Sequence, residues 1–200
     1  MLVHVLRHGE TEGGARYWGR TDVALSARGW EQMHAAVAGH SWESIVSSPL
    51  QRCAAFAEAL AGERHIPCRY ETDLREISFG DWEGHSAAEL MQTDAQRLRR
   101  FWSDPNAHPA PGGESLAQLH SRVMAAWRRI VSDPDRRGLL IVTHSGPIRV
   151  LRAAQSGTPL SALLSIEVPH ASLVGIECDA DGTVAADPGA PSSVPSAEIR

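Results

Sequence analysis

The sequence predicts an α/β fold: a three-layer α/β/α sandwich with an open, mostly parallel sheet, helices on both faces and a small cap over the carboxyl edge of the strands. Three observations carry the prediction. Short apolar runs at residues 2–6, 45–46 and 139–142 are each followed by apolar residues at helical spacing. The helices open on residue types that start helices, serine and proline above all. No internal repeat breaks the alternation.

Leu2, Val3, Val5 and Leu6 form a mostly buried strand, interrupted only by His4 and ending at Arg7-His8. A loop over residues 9–25 follows, with Gly13, Gly14, Gly19, Tyr17 and Trp18. It closes at Ser26, an N-cap for a helix that presents Trp30, Met33 and Val37 on one face. Ile45 and Val46 begin the second unit. There Ser48 reads as N-cap, Pro49 as the first helical residue and Gln51 as its capping-box partner, with Leu50, Cys53, Ala57 and Leu60 as the core stripe. Arg52 lies off that stripe in the first turn, where the helix dipole disfavours a cation, so an anion is expected beside it.

Residues 66–70 read as an edge strand. Residues 72–113 read as a cap, with short helical patterns at 86–91 and 95–102 and a proline- and glycine-rich loop at 103–113. Ser115 and Gln118 form a capping box for an amphipathic helix marked by Leu116, Leu119, Val123, Trp127 and Ile130, which ends before Asp133-Pro134. Leu139-Leu140-Ile141-Val142 is the most apolar strand and runs into Thr143-His144-Ser145-Gly146-Pro147, with Pro147 opening a helix to about residue 155. Two more strands are expected near residues 163–168 and 173–178. Residues 1–178 thus form one domain, and the Asp, Gly, Ala, Pro and Ser composition of residues 179–200 predicts a disordered tail.

The chain has 200 residues, 42% of them hydrophobic, which suits one globular core. No apolar run approaches the roughly 20 residues of a membrane span, and no signal-peptide pattern opens the chain, so a cytoplasmic protein without a membrane partner is expected. A net charge of −5 argues against nucleic acid as a partner. Cys53, Cys68 and Cys178 are widely spaced and read as structural thiols in a reducing compartment. All 19 basic side chains are arginine. That excludes a Walker-type loop and any lysine Schiff base, and leaves phosphate recognition to the guanidinium fork.

In such a sheet, ligands sit outside the carboxyl ends of the strands, where helix N-termini also point. Two strands end alike, in Arg7-His8-Gly9 and in Thr143-His144-Ser145-Gly146. If they are neighbours, His8 and His144 face one another, and Arg52 projects toward the same place. Leu6-Arg7-His8-Gly9-Glu10-Thr11, Ser47-Ser48-Pro49-Leu50-Gln51-Arg52, Glu76-Ile77-Ser78-Phe79-Gly80-Asp81-Trp82-Glu83-Gly84 and Thr143-His144-Ser145-Gly146, in that order, resemble the motifs of the histidine phosphatase superfamily, the phosphoglycerate mutase-like group.

The resemblance implies that a neutral His8 attacks phosphorus and that the phosphohistidine is then hydrolysed. It implies that Arg7, Arg52 and a protonated His144 bind the equatorial oxygens, while Glu76 protonates the leaving oxygen and later takes a proton from water. Thr11, Ser145 and Gly146 would add hydroxyl or backbone donors. No metal and no cofactor is implied; the partner is a small-molecule phosphate ester, and a homodimer is compatible. Many members carry asparagine six residues after the nucleophile, where this chain has Gly14, so that contact does not carry over and a backbone amide or water takes its place.

Asp81 and Glu83 share a loop with Glu76, and the motif register favours Glu76. The other histidines show no zinc spacing, with His108 and His170 placed at a rim. The arginines at 97, 99, 100, 128, 129, 136 and 137 read as solvated helix faces and ends. Trp82 reads as packing, whereas Tyr17, Trp18 and Trp102 suit either packing or stacking on a substrate ring. A finer resemblance, through Gly13-Gly14, Gly19-Arg20-Thr21-Asp22, Phe101-Trp102-Ser103-Asp104-Pro105 and Pro111-Gly112-Gly113-Glu114, is to the alpha-ribazole phosphatases of cobalamin assembly. The alternatives are a broad phosphatase of sugar phosphates or nucleotides, then a phosphoglycerate mutase or a non-catalytic phosphate-binding regulator.

Overall fold

Strands β1 (Leu2–Arg7), β2 (Ser44–Ser47), β3 (Cys68–Tyr70), β4 (Leu139–Thr143) and β5 (Leu173–Glu177) form one sheet in the order β3-β2-β4-β1-β5. The first four in that order run parallel, and β5 lies antiparallel to β1. The computed structural model describes residues 1–133, 138–179 and 181–186. Helices α1 (Ala27–Val37) and α2 (Gln51–Arg64) cover one face, and α5 (Leu116–Val131) and α6 (Ser145–Ser156) the other. Strand alternation divides the core between them: Leu139 and Ile141 of β4 join Val3 and Val5 against α5 and α6, while Leu140 and Val142 join Leu6 against α1 and α2.

The segment expected as a cap carries α3 (Ala87–Thr93) and α4 (Ala95–Ser103) and builds its own small core from Trp82, Leu90, Leu98, Phe101 and Ala110. Ser86 and Ser115 each form the reciprocal capping box at the starts of α3 and α5.

Three expectations need correction. Residues 160–165 form a 3-10 helix rather than part of a strand, because Pro159 sets its entry and Leu160 and Leu163, three apart, both reach the core beside α6. Helix α2 begins two residues later than expected, at Gln51, and the Ser48 hydroxyl, which accepts from Leu50 N at 3.3 Å, is shared with His144 Nε2. Its opening amide, Gln51 N, donates instead to Asp22 Oδ1 at 2.7 Å. The chain also continues folded past Asp179: Cys178 bridges Val184, Trp127 Nε1 donates to Gly182 O at 3.0 Å, and Val184 enters the core. A tight turn with Gly182 at positive φ returns this single apolar residue to α5. The rest of the expected tail, residues 187–200, and Arg136 and Arg137 lie outside the described residues.

Candidate active site

β1 and β4 are adjacent and parallel with Arg7 opposite Thr143, so the next residue of each strand, His8 and His144, emerges side by side. Their ring centroids are 5.1 Å apart in an edge-to-face arrangement. The His8 backbone is fixed from both sides: its N–H donates to Thr143 O at 3.0 Å, and its carbonyl accepts from Ala171 N at 3.2 Å.

The tautomer of His8 follows from its neighbour. Nδ1 lies 2.7 Å from the Gly9 carbonyl, which can only accept, so Nδ1 carries the proton and Nε2 the lone pair. Burial, then the Arg52 guanidinium, hold the imidazole well below its ordinary pKa of 6.5, so the ring is neutral near neutral pH. It borders a cavity of about 430 Å³ that is also lined by Arg7, Thr11, Glu76 and Ser145.

Arg7 donates from Nη1 to Val168 O at 2.5 Å, while its buried Nε has no partner among the described residues. A buried unpaired donor beside a cavity marks a place for an incoming acceptor. Glu76 is buried at the N-terminus of α6. Its Oε1 accepts from Gly146 N at 2.9 Å and Ile77 N at 3.0 Å, and its Oε2 from Ser145 Oγ at 2.9 Å. A Cβ on residue 146 would collide with Glu76 Oε1, so a side chain there would push the carboxyl from this position.

Arg52 and His144 sit one layer behind the cavity wall. Both are fully buried. The anion expected beside Arg52 is replaced by carbonyls of the loop after β1: Nη1 donates to Thr21 O at 2.8 Å, and Nη2 to Trp18 O at 3.0 Å and Gly19 O at 2.6 Å. Its Nε donates to His144 Nδ1 at 3.2 Å, so His144 is protonated on Nε2, which donates to Ser48 Oγ at 2.8 Å. This corrects the expectation of a protonated His144. A buried imidazole that already accepts from a guanidinium is held well below its ordinary pKa, by burial first and then by Arg52 and His8.

The other loop carboxylates separate clearly from Glu76. Glu83 accepts from the amides of Gly19, Arg20, Thr21 and Phe79 and from the Thr21 hydroxyl, so it clamps the amides of the stretch whose carbonyls Arg52 holds. Of the undecided aromatics, Tyr17 packs on Phe79 and Trp82 in the cap core and borders the cavity, and exposed Trp102 donates to its hydroxyl. Trp18 lines the cavity with Nε1 tied to Gly14 O at 2.9 Å. Gly14, at positive φ, has open space where a Cβ would stand.

His170 borders the cavity, its ring 5.8 Å from that of His8, whereas His108 does not. Arg16 and Phe79 also line it; Phe79 belongs to the motif that starts at Glu76, whereas Arg16 carried no signal in the sequence beyond its loop. Among the described residues no three His, Cys, Asp or Glu side chains converge as a metal site would need. No described helix is long and apolar enough to cross a membrane.

A pH dependence follows from the depressed histidines, above all the buried pair His8 and His144, with His4 and His170 acting in the same direction. Below about 6.5 the unfolded chain takes up protons that folded His8 and His144 refuse, so stability is full above that pH and falls as pH drops through it. The loss is up to about 1.4 kcal/mol per pH unit for each such histidine. Urea unfolding at pH 7.5, 6.5 and 5.5 should show the decline steepening at the acid end; a flat profile would contradict two buried neutral rings.

A parallel sheet whose switch point presents a neutral imidazole, an unpaired arginine donor and a carboxylate around one cavity defines an enzyme site suited to phosphate esters. The comparisons with known proteins agree. A family model described as "Histidine phosphatase superfamily (branch 1)" matches residues 3–189, and the chain belongs to that family of phosphatases and mutases. It is 30% identical over 174 residues to the adenosylcobalamin/alpha-ribazole phosphatase of Escherichia coli, covering 84% of this chain and 85% of that protein. A bifunctional protein of Mycobacterium tuberculosis is 35% identical over 184 residues, covering 89% of this chain but 50% of that protein, so the chain spans about half the length of that relative. The crystal structure of the alpha-ribazole phosphatase from Shigella flexneri superposes with a TM-score of 0.80 at 27% identity, covering 92% of this chain and 94% of that one. Other relatives are named as phosphoserine phosphatase, glucosyl-3-phosphoglycerate phosphatase and phosphoglycerate mutase.

Proposed function

We propose that this protein is a cytoplasmic, metal-independent phosphomonoester hydrolase that works through a phosphohistidine on His8, and that it removes the 5′-phosphate of alpha-ribazole phosphate in cobalamin nucleotide-loop assembly. The observation that carries the mechanism is the fixed tautomer of His8, whose Nε2 lone pair belongs to a ring on the cavity wall. In the first step that lone pair forms the N–P bond as the P–O bond to the leaving group breaks. The Nδ1–H bond to Gly9 O stabilises the positive charge the ring then acquires.

Arg7 supplies charge and donors to the phosphoryl oxygens, and Arg52 contributes charge from behind while holding the loop. Glu76, whose carboxyl lines the cavity and is held by Gly146 N, Ile77 N and Ser145 Oγ, is assigned as the donor of the proton to the leaving oxygen. In the second step water attacks phosphorus, the N–P bond breaks, and Glu76 takes the proton from water. Neutral His144 keeps Arg52 and Ser48 in register rather than binding oxygen.

The leaving group is assigned from the wall of the cavity. Tyr17, Trp18 and Phe79 give it an aromatic side, with Arg16 as its further cation, which suits a ring-bearing riboside better than a second acidic group. The name of the Escherichia coli relative points the same way. The test is kcat/KM for alpha-ribazole phosphate, 3-phosphoglycerate, fructose bisphosphate and nucleoside monophosphates, with and without EDTA. A clear preference for alpha-ribazole phosphate that survives EDTA is expected. A flat profile would replace this substrate with a broad phosphatase, and a strict divalent requirement would remove the mechanism.

A further inference from the structure

Arg122, on α5, makes five hydrogen bonds, one for each of its N–H groups. Nε donates to Glu114 Oε1 at 2.6 Å and Nη2 to Glu114 Oε2 at 2.8 Å, a two-point fork on a carboxylate. The remaining three go to main-chain carbonyls: Nη1 to Asp73 O at 2.6 Å and Arg75 O at 2.7 Å, and Nη2 to Glu76 O at 3.0 Å. The carbonyl between these, Leu74 O, accepts from Thr143 Oγ1 at 2.7 Å. Glu114 closes the frame, accepting from Ser78 N at 3.3 Å and donating from its own amide to Ser78 O at 2.9 Å.

The consequence concerns Glu76. After the short 3-10 turn at Thr72–Leu74 the chain has no regular structure until Gly80, so no helix or strand ladder fixes the backbone that carries this carboxylate. Four consecutive carbonyls and one amide are held instead by side chains of α5, β4 and Glu114. Both members of the ion pair are mostly buried, with side chains 14% and 8% exposed, and they border a second, open cavity rather than the one that His8 lines. Helix α6 fixes the other end of Glu76 through Gly146 N and Ser145 Oγ.

We infer that Arg122 and Glu114 form a positioning pair that sets the Glu76 carboxyl against the leaving oxygen, neither residue touching substrate. This rests on the assignment of Glu76 as proton donor above. Lysine at position 122 would offer three donors without the planar fork and could not hold three carbonyls and a carboxylate at once. A proton donor displaced by about an ångström loses much of its effect where the leaving group is poor, and little where it departs unaided.

The test compares kcat for propyl phosphate with kcat for p-nitrophenyl phosphate on the same sample of Glu76→Gln, Arg122→Lys and Glu114→Gln, and of each of the last two combined with Glu76→Gln. Because both substrates see the same folded fraction, the ratio is insensitive to any loss of stability. Arg122→Lys and Glu114→Gln are each expected to lower the alkyl-to-aryl ratio by about tenfold with KM nearly unchanged, and to lower it no further when Glu76 is already glutamine. An unchanged ratio in both single variants, or a further drop in the Glu76→Gln background, would overturn the inference. If Glu76→Gln alone leaves the ratio unchanged, the proton-donor assignment fails first and the positioning role falls with it.

Discussion

Replacing His8 with alanine is expected to lower kcat/KM by about four orders of magnitude or more, since no other group can take over the covalent step. Among the described residues His8 is the cavity-lining imidazole whose tautomer a hydrogen bond fixes, with the proton on Nδ1 and the lone pair on Nε2. His170 also borders the cavity, but Arg7 stands beside it, and among the described residues no hydrogen bond fixes its tautomer; its pKa is pulled down to about 4 by burial, then Arg7. Substrate should still bind, because Arg7, Thr11 and Ser145 remain. KM, or the inhibition constant of inorganic phosphate, should therefore change far less than kcat. Turnover by His8→Ala within tenfold of the parent would remove the nucleophile from His8.

The second large effect belongs to Arg52→Met, which should act on stability and activity together. The guanidinium is fully buried and holds Trp18 O, Gly19 O, Thr21 O and His144 Nδ1. Methionine fills much of the volume but leaves four acceptors without donors. Part of the loop reaches water and recovers, so the expected loss is about 3 kcal/mol, read as a shift in the urea midpoint. Activity should fall by about a hundredfold or more, because the freed loop carries Trp18 in the cavity wall and a central cation is lost. Arg52→Lys should restore little of either, having no fork to span the three carbonyls. Parent-like stability in Arg52→Met would mean that Glu83 alone suffices to hold the loop.

Local pattern made much of the site legible. Strand ends place His8 and His144, since two apolar runs that stop at the same kind of residue become neighbours in a parallel sheet. Helix starts at Ser26, Ser86 and Ser115 behave as their side chains require. What local pattern missed depends on partners far along the chain. Ser48 has every feature of an N-cap, yet its hydroxyl is shared between Leu50 N and His144, 96 residues away, and the helix starts at Gln51. The burial of Arg52 is satisfied by loop carbonyls that carry no side-chain signature, so the expected anion had no counterpart in sequence.

Arg122 and Val184 show the same limit, and His170 does not. His170, expected at a rim, does border the cavity, because the chain entering β5 runs back beside β1 and Ala171 N bonds to His8 O. Arg122 sits in an amphipathic helix as one more polar residue, and its importance appears only when the irregular stretch around Glu76 folds over it. Val184 likewise gains its role from a turn that returns it to α5, against the composition of its surroundings.

The most direct measurement is to mix the protein with a phosphomonoester labelled in the phosphoryl group, quench within milliseconds in base, and map the modified peptide by mass spectrometry. One phosphoryl group on the peptide that contains His8, stable in base, released in acid and absent from His8→Ala, is the expected result. Label on another residue, or rapid turnover with no covalent phosphate at any quench time and no burst of the leaving alcohol, would contradict a phosphohistidine on His8.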